Sequence, residues 1–353
     1  MTRSLLLLLV PIGPALHYLL EASPIWVFSA GIVGIAVLAD WIRYSTEQLA
    51  LHVGSAVGSL LTVSLGSVAE LLLALFVLAR GEADVVHAQI TGSIIGTSLL
   101  GLGLAIVVGG LQRGTQRFRR ERAGLLSSLL VLVVLALLLP AVFHRTVGDT
   151  LRQGDVGWRV EELSLTVSVV LLLLYGANLL YTLVTHRDVF ASGEEEEGEP
   201  RWSVWTCLVV LAACTAAAAL ESELVSDDLA VAAETLGMTP LFLGVIVLAL
   251  VGTIADLFAA VWFAHRDRMG AAMTVCIGSS IQIALVVAPL LVILSWLIGS
   301  PMTLVFNNPI ELFAIAGTAL IVNSIAGDGE TTWFEGVLLI GVYVLFGLAF
   351  FFV

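Results

Sequence analysis

The sequence predicts an all-α polytopic membrane protein with about 11 transmembrane helices, and three observations point to this class. Hydrophobic residues make up 59% of the 353 positions and charged residues only 12%, whereas an average soluble domain is about a quarter charged. The mean hydropathy is +1.04. The apolar residues also fall into successive runs, most of them near the roughly 20 residues that a helix needs to cross the hydrocarbon core.

The predicted helices follow from the apolar runs, taken in order along the chain. They cover approximately residues 4–20, 24–39, 46–79, 84–111, 122–143, 163–184, 203–220, 239–264, 270–298, 308–326 and 333–353. The first run follows Arg3 and also has the form of a cleaved signal peptide, which has a basic start and a short apolar core. For that run, the sequence leaves both interpretations open.

Orientation in the membrane is predicted from the arginines, because cytoplasmic loops are enriched in basic residues. The connection "QRGTQRFRRER" at 112–122 carries five of the fifteen basic residues, all of which are arginines. We place it in the cytoplasm and count helices outward from it. The amino terminus and the acidic linker 187–202 are then cytoplasmic too, in a multi-pass protein of the cell membrane.

Charge and cysteine content narrow the possible partners. The formal net charge is -13, so the chain lacks the basic footprint that nucleic-acid binding needs. The lipid bilayer is the expected surrounding. Cys207, Cys214 and Cys276 all fall inside apolar runs, which favours small buried side chains over disulfides or metal ligands.

An internal repeat relates two stretches of the chain. "LGSVAELLLAL" and "VGTIADLFAAV" align with a constant offset, which pairs Gly66 with Gly252 and Glu70 with Asp256. The same register continues without a gap to "TGSIIG" and "IGSSIQ". By helix count the two copies cross the membrane in opposite directions. Inverted repeats of this kind are common in secondary transporters, with the ion site near the midplane where the copies meet.

The two acids of the repeat define the candidate site. An ionised side chain at bilayer depth costs at least about 2.5 kcal/mol, so Glu70 needs a partner or a task. Two facing carboxylates, Glu70 and Asp256, would have to bind a cation or share protons. Ca²⁺ prefers oxygen ligands, and further oxygens come from backbone groups at Gly66 and Gly252 and from the side chains of Ser67, Ser93, Thr97, Thr253, Ser279, Ser280 and Gln282. Neither His nor Cys occurs in this set, which argues against a soft transition metal.

Simpler interpretations stand beside this one. Glycine and serine at four-residue spacing are more often helix-packing contacts than ligands, and a single intramembrane acid can be structural. Six further acids lie nearer predicted helix ends and are candidates for a vestibule or gate: Glu47, Glu221, Glu223, Asp227, Asp228 and Glu311.

These motifs resemble the calcium/cation antiporter superfamily, and within it the H⁺/Ca²⁺ exchanger branch. The resemblance runs from "STEQLALHVG" through "ARGEADVVHAQITGSIIG" to "HRDRMGAAMTVCIGSSIQIAL". It implies two inverted five-helix repeats plus one extra N-terminal helix. The extra helix would be residues 1–22, the first inverted repeat (helices 2–6) 23–186, and the second (helices 7–11) 203–353, on either side of the linker.

The resemblance also implies roles for particular residues. Glu70 and Asp256 would bind Ca²⁺ and exchange it for H⁺ by alternating access, and Gln282 would be a polar ligand. The chain departs from the family where Ser67, Thr253 and Thr97 replace asparagines, and where Asp256 replaces a glutamate.

Other functions remain as alternatives. The threonine of "GTIAD" is similar to the Na⁺/Ca²⁺ exchanger branch, so Na⁺ is an alternative counter-ion. A non-transporting membrane scaffold or sensor is the alternative from a different class. We expect neither a resident cofactor nor an enzymatic activity.

Overall fold

The computed structural model describes residues 5–53, 65–147, 153–181 and 200–353. These residues are almost entirely helical. Most of the acidic linker predicted at 187–202 lies outside the described residues, as does the segment 54–64.

The first half of the described chain contains seven α-helices and one short strand. They are α1 (Ile12–Tyr18), α2 (Pro24–Val53), α3 (Val68–Ala79), α4 (Ala83–Ile95), α5 (Leu102–Arg113), β1 (Thr115–Arg117), α6 (Arg120–Val147) and α7 (Gln153–Leu180). A π-helical segment, Gly96–Gly101, joins α4 to α5 without a break.

The second half contains seven α-helices and the second strand. They are α8 (Val204–Leu236), α9 (Pro240–Phe242), α10 (Ala249–His265), α11 (Met269–Gln282), α12 (Ala288–Ile298), α13 (Pro309–Asp328), β2 (Glu330–Thr332) and α14 (Trp333–Phe351). Two more π-helical segments, Leu243–Leu248 and Ile283–Val287, join α9 to α10 and α11 to α12.

The helix count agrees with the sequence prediction. Among the described residues, 9 helices are long and apolar enough to cross a membrane. Two shorter apolar helices bring the number of candidate crossings to the predicted eleven. They are Leu7–Tyr18, which contains α1, and Val68–Ala79, which is α3. The fold is therefore that of an all-α polytopic membrane protein.

Four predicted boundaries were wrong. The sixth helix, predicted to begin at 163, begins at Gln153 in the described residues. The second helix continues past residue 39 to Val53, and α8 continues past residue 220 to Leu236. The third helix, predicted to begin at 46, begins at Val68 in the described residues. The prediction ended helices where apolar runs met acids, but Glu is a good helix former. Moreover, α2 and α8 pack extensively against each other, which stabilises both beyond their apolar cores.

The repeat is preserved in the helix ends. Ala79 ends α3 and His265 ends α10, and Ala83 begins α4 and Met269 begins α11, each pair 186 residues apart. The π-helical segments Gly96–Gly101 and Ile283–Val287 also fall at matching positions. The two copies thus form the same helical hairpin with the same local distortion.

The connections alternate between two ends of the helix bundle. Strands β1 and β2 pair antiparallel, so the connections after α5 and after α13 meet. The connection after α10 lies at the same end, because Arg113 Nε is 3.3 Å from Asp267 Oδ1. At the other end, Asn307 Nδ2 donates to Asp84 Oδ1 at 2.9 Å. This arrangement is what eleven successive crossings require.

The core is centred on α4, in which every residue from Val85 to Ile95 is buried. A helix that is buried on all sides lies in the interior of a bundle. One close approach requires glycine, because a β-carbon on Gly92 would overlap the carbonyl oxygen of Val245. The hairpin of the first repeat is thereby held against the π-helical segment that precedes α10.

Candidate functional site

Glu70 lies in the first turn of α3 and is only 4% exposed. The hydroxyl of Ser93 on α4 donates a hydrogen bond to Glu70 Oε1. Gln89 Nε2 donates to the Glu70 carbonyl oxygen at 3.3 Å. The amino-terminal end of a helix favours a negative charge in its first turn. The carboxylate is therefore held in place by α4 and by its own helix.

Asp256 lies in α10, and its environment differs from that of Glu70. Its side chain is 29% exposed, and Arg43 of α2 donates from Nη1 to Asp256 Oδ1 at 3.2 Å. The same Nη1 donates to the Ala255 carbonyl oxygen at 2.6 Å. Arg43 Nε also donates to Glu47 Oε1 at 2.9 Å. Asp256 lies one helical turn after Gly252, which packs against the Glu70 side chain.

Gly252 brings α10 close to the Glu70 side chain. A β-carbon on Gly252 would lie 3.1 Å from Glu70 Cγ and 3.4 Å from Glu70 Cδ. By contrast, no described atom lies within 4 Å of a β-carbon on Gly66, the repeat equivalent. α10 runs continuously through Gly252, whereas Ser67 separates a helical turn at Leu65 and Gly66 from the start of α3. The site is therefore closed around Glu70 on the side of the second repeat.

Three hydroxyl groups form a buried cluster where the two hairpins meet. Ser280 Oγ lies 2.7 Å from Thr97 Oγ1 and 2.7 Å from Ser98 Oγ. Ser280 Oγ also donates to the Ile94 carbonyl oxygen at 3.3 Å. Ile94 and Ser280 occupy equivalent positions in the repeat, and contact between equivalent positions is expected on a twofold axis. The hydroxyl cluster of Thr97, Ser98 and Ser280 thus marks the pseudo-axis.

Two further predicted ligands, Thr253 and Gln282, are also buried. Thr253 Oγ1 donates to the Ala249 carbonyl oxygen at 2.9 Å. It also faces Gly96, where a β-carbon would lie 3.9 Å from this oxygen. Gln282 is buried at the last position of α11, directly before a π-helical segment. π-helical segments within α-helices occur frequently at functional sites.

The predicted site residues come together in part. Glu70 contacts Gly252, and Thr97 contacts Ser280. Among the described residues no group of three or more His, Cys, Asp and Glu side chains could hold a metal ion.

Sequence reasoning missed Arg43 and Ser98. The only available signal for Arg43 was a basic residue inside the stretch "AVLADWIRYSTEQLAL", which the predicted boundaries placed between helices. Ser98 lies two residues beyond "TGSIIG", the last segment of the first copy that matches the second copy.

The six candidate vestibule acids divide into different environments. Four of them, Glu221, Glu223, Asp227 and Asp228, lie within α8 well before its end at Leu236, so their predicted positions near a helix end were wrong. Glu221 is only 1% exposed. Glu311 does lie in the first turn of α13, yet it is buried and accepts from Thr91 Oγ1 at 3.4 Å. Asp227 pairs with Arg80, and Glu223 is exposed. Glu47 lies within α2 and belongs with Arg43.

The fold and the site together define a class: a polytopic α-helical membrane protein with two inverted hairpins and a pair of acids where they meet. The family described as "Sodium/calcium exchanger protein" matches residues 23–184 and 206–352. The chain belongs to this family.

Individual relatives cover nearly the whole chain. It is 39% identical to a Ca²⁺/H⁺ antiporter of Aphanothece halophytica, over 98% of this chain and 95% of the relative. It is 37% identical to the Ca²⁺/H⁺ antiporter ChaA of Bacillus subtilis, over 92% and 91% of the two chains. Among solved structures, native YfkE superposes with a TM-score of 0.84 at 30% identity, covering 99% of this chain and 100% of that one.

Proposed function

We propose that the chain is a secondary active antiporter that exports Ca²⁺ in exchange for H⁺, with Glu70 and Asp256 binding the two ions in turn. The observation that carries the proposal is the burial of Glu70 against Gly252 of α10, one helical turn before Asp256. The names of the relatives from Aphanothece halophytica and Bacillus subtilis support Ca²⁺ and H⁺ as the exchanged ions.

The chemistry of the site fits a hard divalent cation. Ca²⁺ takes about six to eight oxygen ligands, and the two carboxylates supply up to four. Neutral oxygens would come from the hydroxyl cluster, Thr253, Gln282 and Ser67, and from the backbone near Gly66 and Gly252. The hydroxyl groups now bond to one another or to their own helices, and their oxygens keep lone pairs for a cation.

Competition between protons and Ca²⁺ follows from the same carboxylates. A carboxylate binds a metal ion only when it is ionised, so metal affinity falls as pH falls. Protons delivered from one side of the membrane would release Ca²⁺ there, and Ca²⁺ arriving from the other side would release protons. In this scheme the protein needs no cofactor and catalyses no covalent reaction.

The proposal includes a sidedness and a division of the chain. We place the amino terminus, the linker 187–202 and the connection at 112–122 in the cytoplasm. The two halves, 23–186 and 203–353, would be the inverted repeats, with residues 1–22 as the extra helix. The arginines at the end where β1 and β2 pair support this sidedness, because cytoplasmic loops are enriched in basic residues.

The decisive experiment is Ca²⁺ flux in proteoliposomes. We expect an imposed pH gradient to drive Ca²⁺ movement, and an equal Na⁺ gradient without a pH difference to drive none. Glu70→Gln and Asp256→Asn should each abolish the flux while the protein still purifies as a folded species. Flux driven by Na⁺ alone would replace H⁺ as the counter-ion, and full flux in either variant would remove these acids from the site.

A further inference from the structure

Arg43 lies in the half of the site that contains Asp256. Its Nη1 contacts both Asp256 Oδ1, at 3.2 Å, and the Ala255 carbonyl oxygen, at 2.6 Å. The Arg43 side chain is largely buried, with 15% exposed. One of the two acids proposed to bind Ca²⁺ is therefore already paired with a positive charge in this conformation.

Glu47 gives the same guanidinium group a second anionic contact. Arg43 Nε lies 2.9 Å from Glu47 Oε1, four positions further along α2. Residues four apart share one face of a helix, so this contact stays intact when α2 moves. The contact with Asp256 joins α2 to α10, so it breaks when α2 moves away from α10. A guanidinium that leaves Asp256 thus keeps an acid on its own helix.

Ca²⁺ and this guanidinium group exclude each other at Asp256. Like charges repel strongly at ion-pair distances in a partly buried site. Arg43 also covers a carboxylate oxygen and a neighbouring carbonyl oxygen, which are the kinds of ligand that Ca²⁺ uses. Binding of a cation between Glu70 and Asp256 therefore requires Arg43 to withdraw.

We propose that Arg43 is a tethered cation that competes with Ca²⁺ for Asp256. It pairs with Asp256 when the site holds no ion and with Glu47 alone when Ca²⁺ is bound. This inference rests on the function proposed above. Since α2 packs against both α8 and α10, ion binding at Asp256 is linked to a displacement of α2. Arg43 is a positioning residue that sets how tightly the site holds Ca²⁺ and how readily it releases it.

A purely structural bridge between α2 and α10 makes a different prediction. If Arg43 only stabilised packing, replacing either Arg43 or Glu47 would weaken the same assembly, and Ca²⁺ affinity would fall or stay constant in both variants. Competition predicts effects of opposite sign. Loss of Arg43 frees Asp256, whereas loss of Glu47 removes an acid that competes with Asp256 for Arg43.

The test measures Ca²⁺ binding to the purified full-length protein by calorimetry at fixed pH, with Ca²⁺ flux in proteoliposomes beside it. For Arg43→Gln we expect the Kd of Ca²⁺ to fall about tenfold, within the usual range for coupled binding equilibria. The maximal flux should also fall, because release is slower from a tighter site. For Glu47→Gln we expect the Kd to rise about fivefold. Arg43→Lys should restore weaker binding, since it keeps the competing charge.

Arg113→Gln is the matched control. Arg113 also bridges an acid and a carbonyl group, contacting Asp267 and the His265 carbonyl oxygen, but it lies at the end of the bundle where β1 and β2 pair. The Arg113→Gln variant should bind Ca²⁺ with the same Kd as the unmodified protein. A thermal melt of each variant reports whether it is folded.

Two results would overturn the proposal, and they differ from each other. If the unmodified protein transports Ca²⁺ but Arg43→Gln binds it no more tightly, competition is wrong and antiport stands. If the unmodified protein neither binds nor transports Ca²⁺, the proposed function fails and this inference fails with it. Should Arg43→Gln not fold, a Kd that is unchanged or lower in Glu47→Gln is by itself sufficient to reject competition.

Discussion

Gly252 lies directly against the side chain of Glu70, because a β-carbon at this position would be only 3.1 Å from Glu70 Cγ. Alanine at this position would raise helix propensity by about 1 kcal/mol, yet its methyl group would press on the carboxylate. We expect Gly252→Ala to reduce Ca²⁺ flux about tenfold or more, because a displacement of 1 Å at a reacting centre has effects of this size. The measurement is the rate of Ca²⁺ flux in proteoliposomes that contain the Gly252→Ala variant.

Gly341→Ala provides the control for that change. Gly341 lies within α14 and is exposed. A β-carbon at this position would have no described atom within 4 Å. Its flux should match that of the unmodified protein. Normal flux in Gly252→Ala would mean that Glu70 tolerates displacement and that its position is not critical.

The hydroxyl cluster makes a second prediction. Ser280→Ala removes the contacts of Ser280 with Thr97 and Ser98 in a buried site. A buried polar group that loses its partner costs about 1–3 kcal/mol, so the melting temperature in detergent should fall. The KM for Ca²⁺ should rise, because a neutral ligand is lost.

Ser168→Ala is the comparison for Ser280→Ala. Ser168 is also buried, but its hydroxyl bonds to the Ser164 carbonyl oxygen within α7. We expect a smaller loss of stability and no change in KM. An equal KM shift in both variants would show that the cluster has no special relation to the ion.

Glu221 makes a third prediction, on stability. Its carboxylate is buried against Gly13, Gly31 and Gly34, and neither oxygen has a hydrogen-bond partner in the described residues. Glu221→Gln keeps the shape and removes the charge, so it should stabilise the protein where the carboxyl is ionised, because an unpaired buried charge is costly. The gain should grow as pH rises, because at low pH the protonated acid is neutral like glutamine.

Thermal melts across a pH series test this prediction. Glu223→Gln, two positions further along the same helix and exposed, should leave the melting temperature unchanged at every pH. A lower melting temperature for Glu221→Gln at high pH would indicate an ionised Glu221 with a stabilising partner.

The strand pairing predicts which residues share a side of the membrane. Arg117 and Glu330 pair across β1 and β2 and are both exposed, whereas Asn307 lies at the opposite end. In a background without the three native cysteines, cysteine at Arg117 or Glu330 should resist a membrane-impermeant maleimide on intact cells. Cysteine at Asn307 should react. The reverse pattern would invert the proposed orientation.

The sequence was sufficient for the fold class, and it singled out the two acids of the proposed site. Eleven crossings follow from apolar runs alone, since the bilayer sets their length. Glu70 and Asp256 were found because an acid in an apolar helix is rare and because the repeat gives two of them in register. Both signals are local to a segment or to its aligned copy.

What the sequence did not reveal depends on contacts between distant segments. Arg43 and Asp256 are 213 positions apart, and nothing in either segment specifies the pairing. The extension of α8 to Leu236 comes from its packing on α2, which a hydropathy pattern does not record. The π-helical segments shift one backbone hydrogen bond without changing composition, so periodicity does not detect them.

The two-stranded ladder between β1 and β2 joins segments from the two halves of the chain. Its register aligns Thr115 with Thr332 and Gln116 with Thr331, and separating them would break backbone hydrogen bonds. At this end of the bundle the ladder therefore holds the end of α5 beside the start of α14. A path for ions at that end has to open at a boundary between other helices.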